Sequence, residues 1–399
     1  MKILYYSAHP NLSLNGNGGY ATHMREMIQA FEELGHIVIP VIHGRLPKTK
    51  NSVALKPKKN LTLGLKDIIK NALPGKLWRT IKDINLIIED RAAAKKLDAV
   101  VKEIQPDLIY ERVAMLQPGG LRVALKYGIK HILEINAPTV SETYGQESAK
   151  SFLRSTATSL EKWQLQNTNL IVSVSTALVD YYNKKFDSLA PYVITPNAVN
   201  PEYLSNMSSQ GTSEIIAKYG LSNKIVIGFL GTFFSWHRID MLIKVFSELN
   251  IDDKCRLLLV GSSKDIKLQS SLSDLARDLN GEAIIFAGRV PHNQVYNYIN
   301  AMDICVSPNN EWYMSPIKIF EYGAVGKAII APNTPPVNEV YTNNENAIII
   351  EPKENELKNA LIKLVQESEF RERLGAKAKL SILKNHTWKA NAESVLKNI

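Results

Sequence analysis

The sequence predicts an α/β protein with two doubly wound domains, each built on a parallel sheet. Short β-rich runs alternate with longer helical patterns, which is typical of βαβ units. Many of these runs are continuously apolar, as expected of strands buried on both faces. In the first half they read KILYY, HIVIPV, DLIYE, HILEI and NLIVSVS. A second series follows, with KIVIGFL, RLLLVG, AIIFAG, DICVSP, KAIIAP and AIIIEP.

The chain of 399 residues is long enough for two domains of ordinary size. The turn-rich segment Thr195–Asn200 separates the two series, which places an N-terminal domain at 1–195 and a C-terminal domain at 196–380. The remainder, 381–399, is predicted to be a C-terminal helix that packs back on the N-terminal domain. A break in the helical pattern is expected at Asn385-His386-Thr387.

Composition restricts the function classes. The 48 basic residues exceed the 39 acidic ones and give a net charge of +9, which indicates an anionic partner. A nucleic-acid partner is disfavoured because stacking aromatic residues are not interleaved with the basic ones. Cys255 and Cys305 are too few for a disulfide framework or a zinc site and favour a reducing compartment. With no visible secretory signal and no apolar run of membrane-spanning length, we expect a soluble cytoplasmic protein.

Glycines follow the first strand. Gly16, Gly18 and Gly19 formally match a dinucleotide fingerprint and precede a predicted helix over Thr22–Leu34, which Gly35 should end. The glycines lie about ten residues beyond the strand, and the second strand ends without an acidic residue, so NAD binding is disfavoured. Backbone N–H groups at Gly18 and Gly19 are expected to face an anion or a sugar hydroxyl. A plain surface loop is the alternative.

The strongest local signal is the segment Ser315–Gly323, which follows a predicted strand and opens a helix. Ser315 is expected to cap this helix and Pro316 to be its first residue. Lys318 in the first turn opposes the helix dipole unless an anion lies between them. Lys318 and Glu321 share one helix face. This pattern fits a nucleoside diphosphate with its ribose at Glu321, and the alternative is a solvated Lys–Glu pair.

Three further loops also follow predicted strands. The segment Gly231–Arg238 offers His237 and Arg238 as phosphate ligands, although it could be an exposed basic turn with its Trp packed on the sheet. In the first half, Glu111-Arg112 and Glu134-Ile135-Asn136 end strands. Each carboxylate could be functional or could simply be paired with an Arg. Asp-x-Asp, Walker, G-x-S-x-G and Cys/His metal patterns are absent from the sequence, so no metal site is predicted.

Taken together, these blocks resemble glycosyltransferase family 4, the retaining enzymes of the GT-B fold. The likeness includes GGYATHMREMIQAFEELGHIV, VITPNAVNPEYL, GFLGTFFSWHRIDMLI, LLLVG, FAGRVPHNQVYNYINAMDICVSP and SPIKIFEYGAVGKAIIAP. The last block is typical of a branch with an S-P-x-K-x-F-E-Y donor motif. The resemblance implies two Rossmann-like domains facing across a cleft, the first binding the acceptor and the second the nucleotide sugar.

The resemblance also implies residue roles. Glu321 matches the later glutamate of the family's E-x7-E motif, whereas the earlier one is replaced by Tyr313. The family's phosphate-binding Arg/Lys pair falls on Thr232 and His237, so Lys318 and Arg238 would supply the charge. The first-half histidine aligns with Asn136. The expected catalytic residues are Glu134, Asn136, His237, Arg238 and Lys318, and the expected donor-binding residues are Gly18, Gly19, Gly231, Thr232, Arg289, Ser315, Pro316, Ile317 and Glu321.

The predicted activity is metal-independent and cofactor-free transfer from a UDP- or GDP-sugar to a glycan or lipid-linked acceptor, in cell-envelope polysaccharide synthesis. A nucleotide-sugar epimerase and a non-catalytic sugar-nucleotide-binding subunit are the alternatives. The stretch 45–82 carries eleven basic residues against the single acidic Asp67, with Leu, Ile and Trp between them. It reads as an amphipathic surface for an anionic membrane, peripheral on the inner face of the plasma membrane. A solvated loop and helix is the alternative.

Overall fold

The computed structural model describes residues 1–16, 18–44, 74–145, 150–205, 207–249, 254–280 and 282–399. They form two compact units. Unit 1 comprises Met1–Thr195 and Ala392–Ile399, and unit 2 comprises Pro196–Asn391. Each unit contains one six-stranded sheet in which every neighbouring pair of strands is parallel. The predicted α/β class with two parallel sheets is confirmed.

The sheet of unit 1 has the order β2-β1-β3-β4-β5-β6. Its strands are β1 Lys2–Ser7, β2 Ile37–Ile42, β3 Leu108–Arg112, β4 Lys130–Ile135, β5 Leu170–Ser173 and β6 Tyr192–Ile194. The helices are α1 Gly19–Glu33, α2 Gly75–Ile104, α3 Gly119–Tyr127, α4 Thr139–Tyr144, α5 Arg154–Asn167 and α6 Thr176–Lys185. Burial of HIVIPV on both faces was a wrong expectation, because β2 stands at the end of the strand order and is partly exposed. Pro40 suits that edge position.

The sheet of unit 2 has the order β12-β11-β10-β7-β8-β9, so the chain changes direction across the sheet between β7 and β10. Its strands are β7 Ile225–Leu230, β8 Cys255–Val260, β9 Ile284–Gly288, β10 Ile304–Val306, β11 Ala328–Pro332 and β12 Ile348–Ile350. The helices are α7 Glu202–Ser205, α8 Ser209–Lys218, α9 Ile239–Glu248, α10 Ile266–Asn280, α11 Val295–Asn300, α12 Ile317–Val325, α13 Pro335–Asn338, α14 Glu354–Gln366 and α15 Ser368–Asn385, followed by α16 Trp388–Lys397.

Strand β8 shows why these runs are continuously apolar. Successive side chains of a strand point to opposite faces. Leu257 and Leu259 accordingly pack in one apolar cluster, and Leu258 and Val260 pack in the other. Both faces of the sheet in unit 2 are covered, which gives strands without polar alternation.

The start of helix α1 differs from the prediction, and so does the course of the chain at residue 380. Helix α1 begins at Gly19 rather than Thr22, and it ends as expected before Gly35, whose φ is +83°. Helix α15 continues to Asn385 and therefore runs through the predicted domain boundary at 380. The predicted break after Asn385 is confirmed. There Val199 donates its N–H to the carbonyl of His386 and accepts one from the N–H of Trp388.

Glycines follow the adjacent strands β7 and β8. Gly231 and Gly261 have φ values of +138° and +136°, a region that side-chain-bearing residues rarely adopt. A Cβ on Gly261 would lie 1.8 Å from the carbonyl oxygen of Gly231. At these two positions, the carboxyl edge of the sheet therefore exposes backbone without a side chain.

We predict that Gly261→Ala lowers the free energy of unfolding by about 2–5 kcal/mol, because it combines an unfavourable φ with overpacking against backbone. Gly35→Ala is the matched control, since Gly35 also has a positive φ but a Cβ there meets nothing within 4 Å. The control should lose about 1–2 kcal/mol. Denaturant unfolding measures both values, and equal losses would contradict the packing argument.

Candidate functional site

The switch in strand order gives unit 2 its candidate site. Ligands of open parallel sheets bind at the carboxyl ends of strands where the order reverses, here between β7 and β10. The loops that leave these strands are tied together. Nδ1 of His237 lies 3.3 Å from the carbonyl oxygen of Asn309, and the Asn309 amide donates to the carbonyl of Trp236 at 2.8 Å.

Lys318 lies in the first turn of α12 and is only 8% exposed. Its Nζ lies 4.0 Å from the ring centroid of Phe229 and 3.3 Å from Nε2 of His237. A Cβ at Gly231 would come within 3.2 Å of the same Nζ. Glycine at 231 therefore leaves room for the ammonium group, and the structure brings Gly231, His237 and Lys318 together as the sequence predicted.

Burial dominates the electrostatics of this cluster. It lowers the pKa of Lys318 to about 7, against the opposing charge of Glu321. Burial and the nearby Lys318 lower the pKa of His237 to about 3. The imidazole is therefore neutral at pH 7, with Nδ1–H donating to Asn309 and Nε2 accepting from Lys318. A buried cation of this kind is stabilised when an anion binds beside it.

The start of α12 differs from the prediction. Ser315 does not cap the helix, because its Oγ accepts the Asn197 N–H at 3.0 Å. The Asn197 amide also donates to the Ser315 carbonyl. The helix begins at Ile317, one residue later than expected, with Pro316 in the capping position and no acidic residue in the first turn. Ser315 thus holds the entry to the helix in place.

Glu321 lies one turn beyond Lys318 on the same helix and is buried. Arg238, a predicted catalytic residue, and the predicted donor contacts Arg289 and Thr232 lie in loops at strand ends. Arg238 has a φ of +52° and directs its Nε to the Asp240 carboxylate at 3.3 Å. Arg289, after β9, donates to Ser262 Oγ at 2.7 Å. Thr232 follows Gly231 and is partly exposed. The Arg238 guanidinium is thus shared with a neighbouring acid.

Glu134 at the end of β4 is 0% exposed and both of its oxygens are used. Oε1 lies 2.6 Å from Arg112 Nη1 and 2.5 Å from Asn136 Nδ2, and Oε2 lies 3.0 Å from His23 Nε2 and 3.2 Å from the Tyr5 hydroxyl. Burial alone would raise its pKa, but His23 and Arg112 hold the pKa well below the usual range. The structure therefore agrees with the alternative interpretation, in which Glu134 is paired with an Arg. Glu134 positions the partly exposed Asn136 and does not itself face a substrate.

The other first-half candidates also have internal roles. Glu111 Oε2 accepts the Leu121 N–H at 3.0 Å and lies 2.9 Å from His131 Nε2, so it fixes the start of α3. Gly18 caps α1 in an extended conformation and Gly19 is already helical. The glycine pair is therefore a helix start rather than a free loop, and it carries no side-chain cap.

Sequence reasoning missed the supports of the site. Phe229 and Asn309 hold Lys318 and His237, and Arg112 holds Glu134. For Arg112, its position beside Glu111 at a strand end was a usable signal. Phe229 reads only as a core residue of its strand. In the parts of the chain that the structure describes, no group of three or more His, Cys, Asp or Glu side chains is arranged to hold a metal.

Comparisons with known proteins agree with this architecture. Residues 17–203 match the model of glycosyltransferase family 4, and residues 212–381 match that of glycosyl transferases group 1. An uncharacterized glycosyltransferase of Methanocaldococcus jannaschii is 23% identical over 235 residues, and this match covers 58% of the chain and 58% of that relative's length.

Solved structures show the same fold. HepE of Anabaena in complex with UDP and glucose has a TM-score of 0.74 at 13% identity and covers 100% of this chain and 98% of its own. WaaG, a glycosyltransferase involved in lipopolysaccharide biosynthesis, has a TM-score of 0.67 at 14% identity and covers 99% and 98%. The chain is therefore a glycosyltransferase of the GT-B fold, in which residues 17–203 are similar to glycosyltransferase family 4 and residues 212–381 are similar to glycosyl transferases group 1.

Proposed function

We propose that the protein transfers a sugar from a UDP- or GDP-sugar to a glycan or lipid-linked acceptor, with retention of the anomeric configuration. The observation that carries this proposal is the burial of Lys318 beneath Gly231, next to an aromatic ring and a neutral imidazole. The charge of Glu321 offsets only part of the cost of burying this cation, and a bound diphosphate would offset more of it. The similarity to HepE, solved with UDP and glucose, supports a nucleotide-sugar donor.

In this reaction, the main requirement on the site is to stabilise the negative charge of the leaving diphosphate. The bond from the anomeric carbon to the diphosphate breaks, the acceptor hydroxyl attacks from the same face, and its proton passes to the leaving phosphate oxygen. Negative charge grows on the diphosphate during this step. Lys318 and the first turn of α12 are placed to stabilise it, in the manner of an oxyanion hole. Metal is not required in this scheme, and no residue has to act as a general base.

Glu321 is assigned to the ribose of the nucleotide. The helical spacing puts its carboxylate one turn deeper than Lys318 on the same face, and the family resemblance gives the later glutamate of E-x7-E this role. A diphosphate at the start of α12 and a ribose at Glu321 fit one nucleotide along a single helix face.

The N-terminal half, which is proposed to bind the acceptor, includes the segment that is predicted to bind an anionic membrane. The predicted amphipathic surface at 45–82 lies mostly outside the described residues, which resume at residue 74. In the described part, Arg79 forms an ion pair with Asp83 at 3.0 Å. Helix α2 leaves Leu77, Ile84 and Ile88 exposed. Within the described segments, no helix has the length and apolarity needed to span a bilayer.

Glu321→Ala should weaken nucleoside diphosphate binding at least about tenfold, because each charge-assisted bond contributes about 1.5–3 kcal/mol. Calorimetry with UDP, GDP and ADP identifies the nucleotide and measures the loss. Glu345→Ala is the control, since Glu345 is 59% exposed in the same unit and only 3.8 Å from Lys377 in a surface ion pair. Unchanged affinity in the Glu321 variant would remove it from the site. Release of free sugar from the donor by the wild type would exclude the non-catalytic alternative.

Lys318→Met should raise the melting temperature at pH 6 and abolish most of the further rise that UDP or GDP gives the wild type. The folded-state pKa of Lys318 is about 7 against 10.5 for the free side chain. Wild-type stability therefore increases as pH rises from 7 to 10.5, and the two proteins should converge above that range. Lys327→Met is the control, because burial also lowers the pKa of Lys327 but its Nζ donates to the Asn300 carbonyl. A Lys318 variant with full nucleotide stabilisation and turnover would refute the proposed role.

The protein should sediment with anionic liposomes and be released by about 0.5 M salt, which shortens the Debye length well below 10 Å. Neutral liposomes should not retain it. Replacing Leu77, Ile84 and Ile88 by Ser should weaken the binding, whereas Leu380→Ser, at another exposed position, should not. Equal and negligible binding to both liposome types would favour a soluble acceptor.

A further inference from the structure

Asn310 lies in the loop between β10 and α12 and is only 4% exposed. Neither its Nδ2 nor its Oδ1 has a hydrogen-bond partner among the residues that the structure describes. Leaving a buried polar group unpaired costs about 1–3 kcal/mol. A primary amide has two donors and an acceptor oxygen to satisfy. A buried amide without a protein partner indicates a place where a ligand can complete the hydrogen bonding.

The position of Asn310 in the loop shows which site a ligand of this amide would occupy. On one side is Asn309, whose carbonyl accepts from His237 and whose amide donates to the Trp236 carbonyl. On the other side, Ser315 is fixed by two hydrogen bonds from Asn197. The loop is thus anchored before and after Asn310. The same His237 contacts Lys318, so the amide belongs to the loop that borders the proposed diphosphate site.

The residue at position 313 supports this interpretation of the Asn310 amide. The earlier glutamate of E-x7-E would fall at this position, and a buried tyrosine occupies it instead. The proposed donor site therefore has a carboxylate in Glu321 and a cation in Lys318 but no carboxylate at position 313. The Asn310 amide, three residues earlier, and the Ser307 hydroxyl are buried polar groups without a described partner on the same loop, and of the two the amide is closer to the start of α12 in the chain.

We propose that Asn310 binds hydroxyl groups of the transferred sugar. This inference rests on the proposed function. An amide that donates and accepts at once suits two neighbouring hydroxyls of a hexopyranose. Because the amide is uncharged, it contributes to sugar selection and placement rather than to neutralising the diphosphate.

The test compares the nucleotide with the nucleotide sugar in Asn310→Ala and Asn310→Asp. Calorimetry with UDP and GDP, and hydrolysis kinetics with UDP-glucose and GDP-mannose, provide the readouts. We expect the affinity for the nucleoside diphosphate to stay within twofold of wild type. We expect kcat/KM for the sugar donor to fall about ten- to hundredfold in Asn310→Ala, the loss for one or more hydrogen bonds to the substrate. Asn310→Asp keeps an acceptor and loses the donors, so it should fall less.

Asn297→Ala is the matched control. The Asn297 amide is also buried in unit 2, but its Oδ1 accepts the Ser208 N–H at 3.0 Å. This variant should lose melting temperature and keep the donor kinetics, whereas Asn310→Ala should keep its melting temperature. Unchanged sugar-donor kinetics in Asn310→Ala, or an equal loss of nucleotide and sugar-nucleotide binding, overturns the proposal. A wild-type protein that binds neither UDP nor GDP overturns the proposed function itself, which separates the two failures.

Discussion

The burial of the Lys318 ammonium group is the constraint on which the candidate site depends. Taking this charge out of water is unfavourable, and its lowered pKa is the direct expression of that cost. The Phe229 ring and the unprotonated Nε2 of His237 offset part of it. His237 can offer that lone pair because Nδ1 donates to the Asn309 carbonyl. The contacts thus run from Lys318 to His237 and from His237 to Asn309. They join the loop after β7 to the loop after β10.

The strand order of unit 2 explains why these two loops meet. Strands β7 and β10 are neighbours in the sheet although they are separated in the chain by two strands and their helices. Reversal of the winding direction between them leaves a crevice at their carboxyl ends. Glycine at 231 and 261 leaves the backbone without a Cβ at these two positions of the edge. A diphosphate bound there would convert the unfavourable burial of a cation into a favourable ion pair. Under the proposed function, the cost of burying Lys318 and the affinity for a nucleotide sugar would have one physical origin.

Unit 1 uses similar residues for a different purpose. Glu111 and Glu134 also lie at strand ends. The Glu111 carboxylate contacts His131 and the start of α3, and the Glu134 carboxylate accepts hydrogen bonds from Arg112 and Asn136. For Glu134, these donors hold the pKa well below the usual range, which makes it a poor proton acceptor. Its value is geometric, because it holds Asn136 at the end of β4. Two carboxylates that look alike in the sequence are therefore both structural.

The sequence by itself determined the backbone of this protein and the family to which its halves are similar. Apolar runs without alternation specified the parallel strands, and the break at His386 was readable from local residue types, because periodicity and turn chemistry act over a few residues. It also placed Gly231, His237 and Lys318 in one site, since strand-end loops meet at a known edge. Only the tertiary structure decided which groups these residues contact. The Lys318–His237 contact joins residues 81 positions apart, the Ser315 hydroxyl accepts from Asn197 rather than capping a helix, and the Asn310 amide is buried without a protein partner. These outcomes depend on packing between distant segments, which no local pattern in the chain encodes.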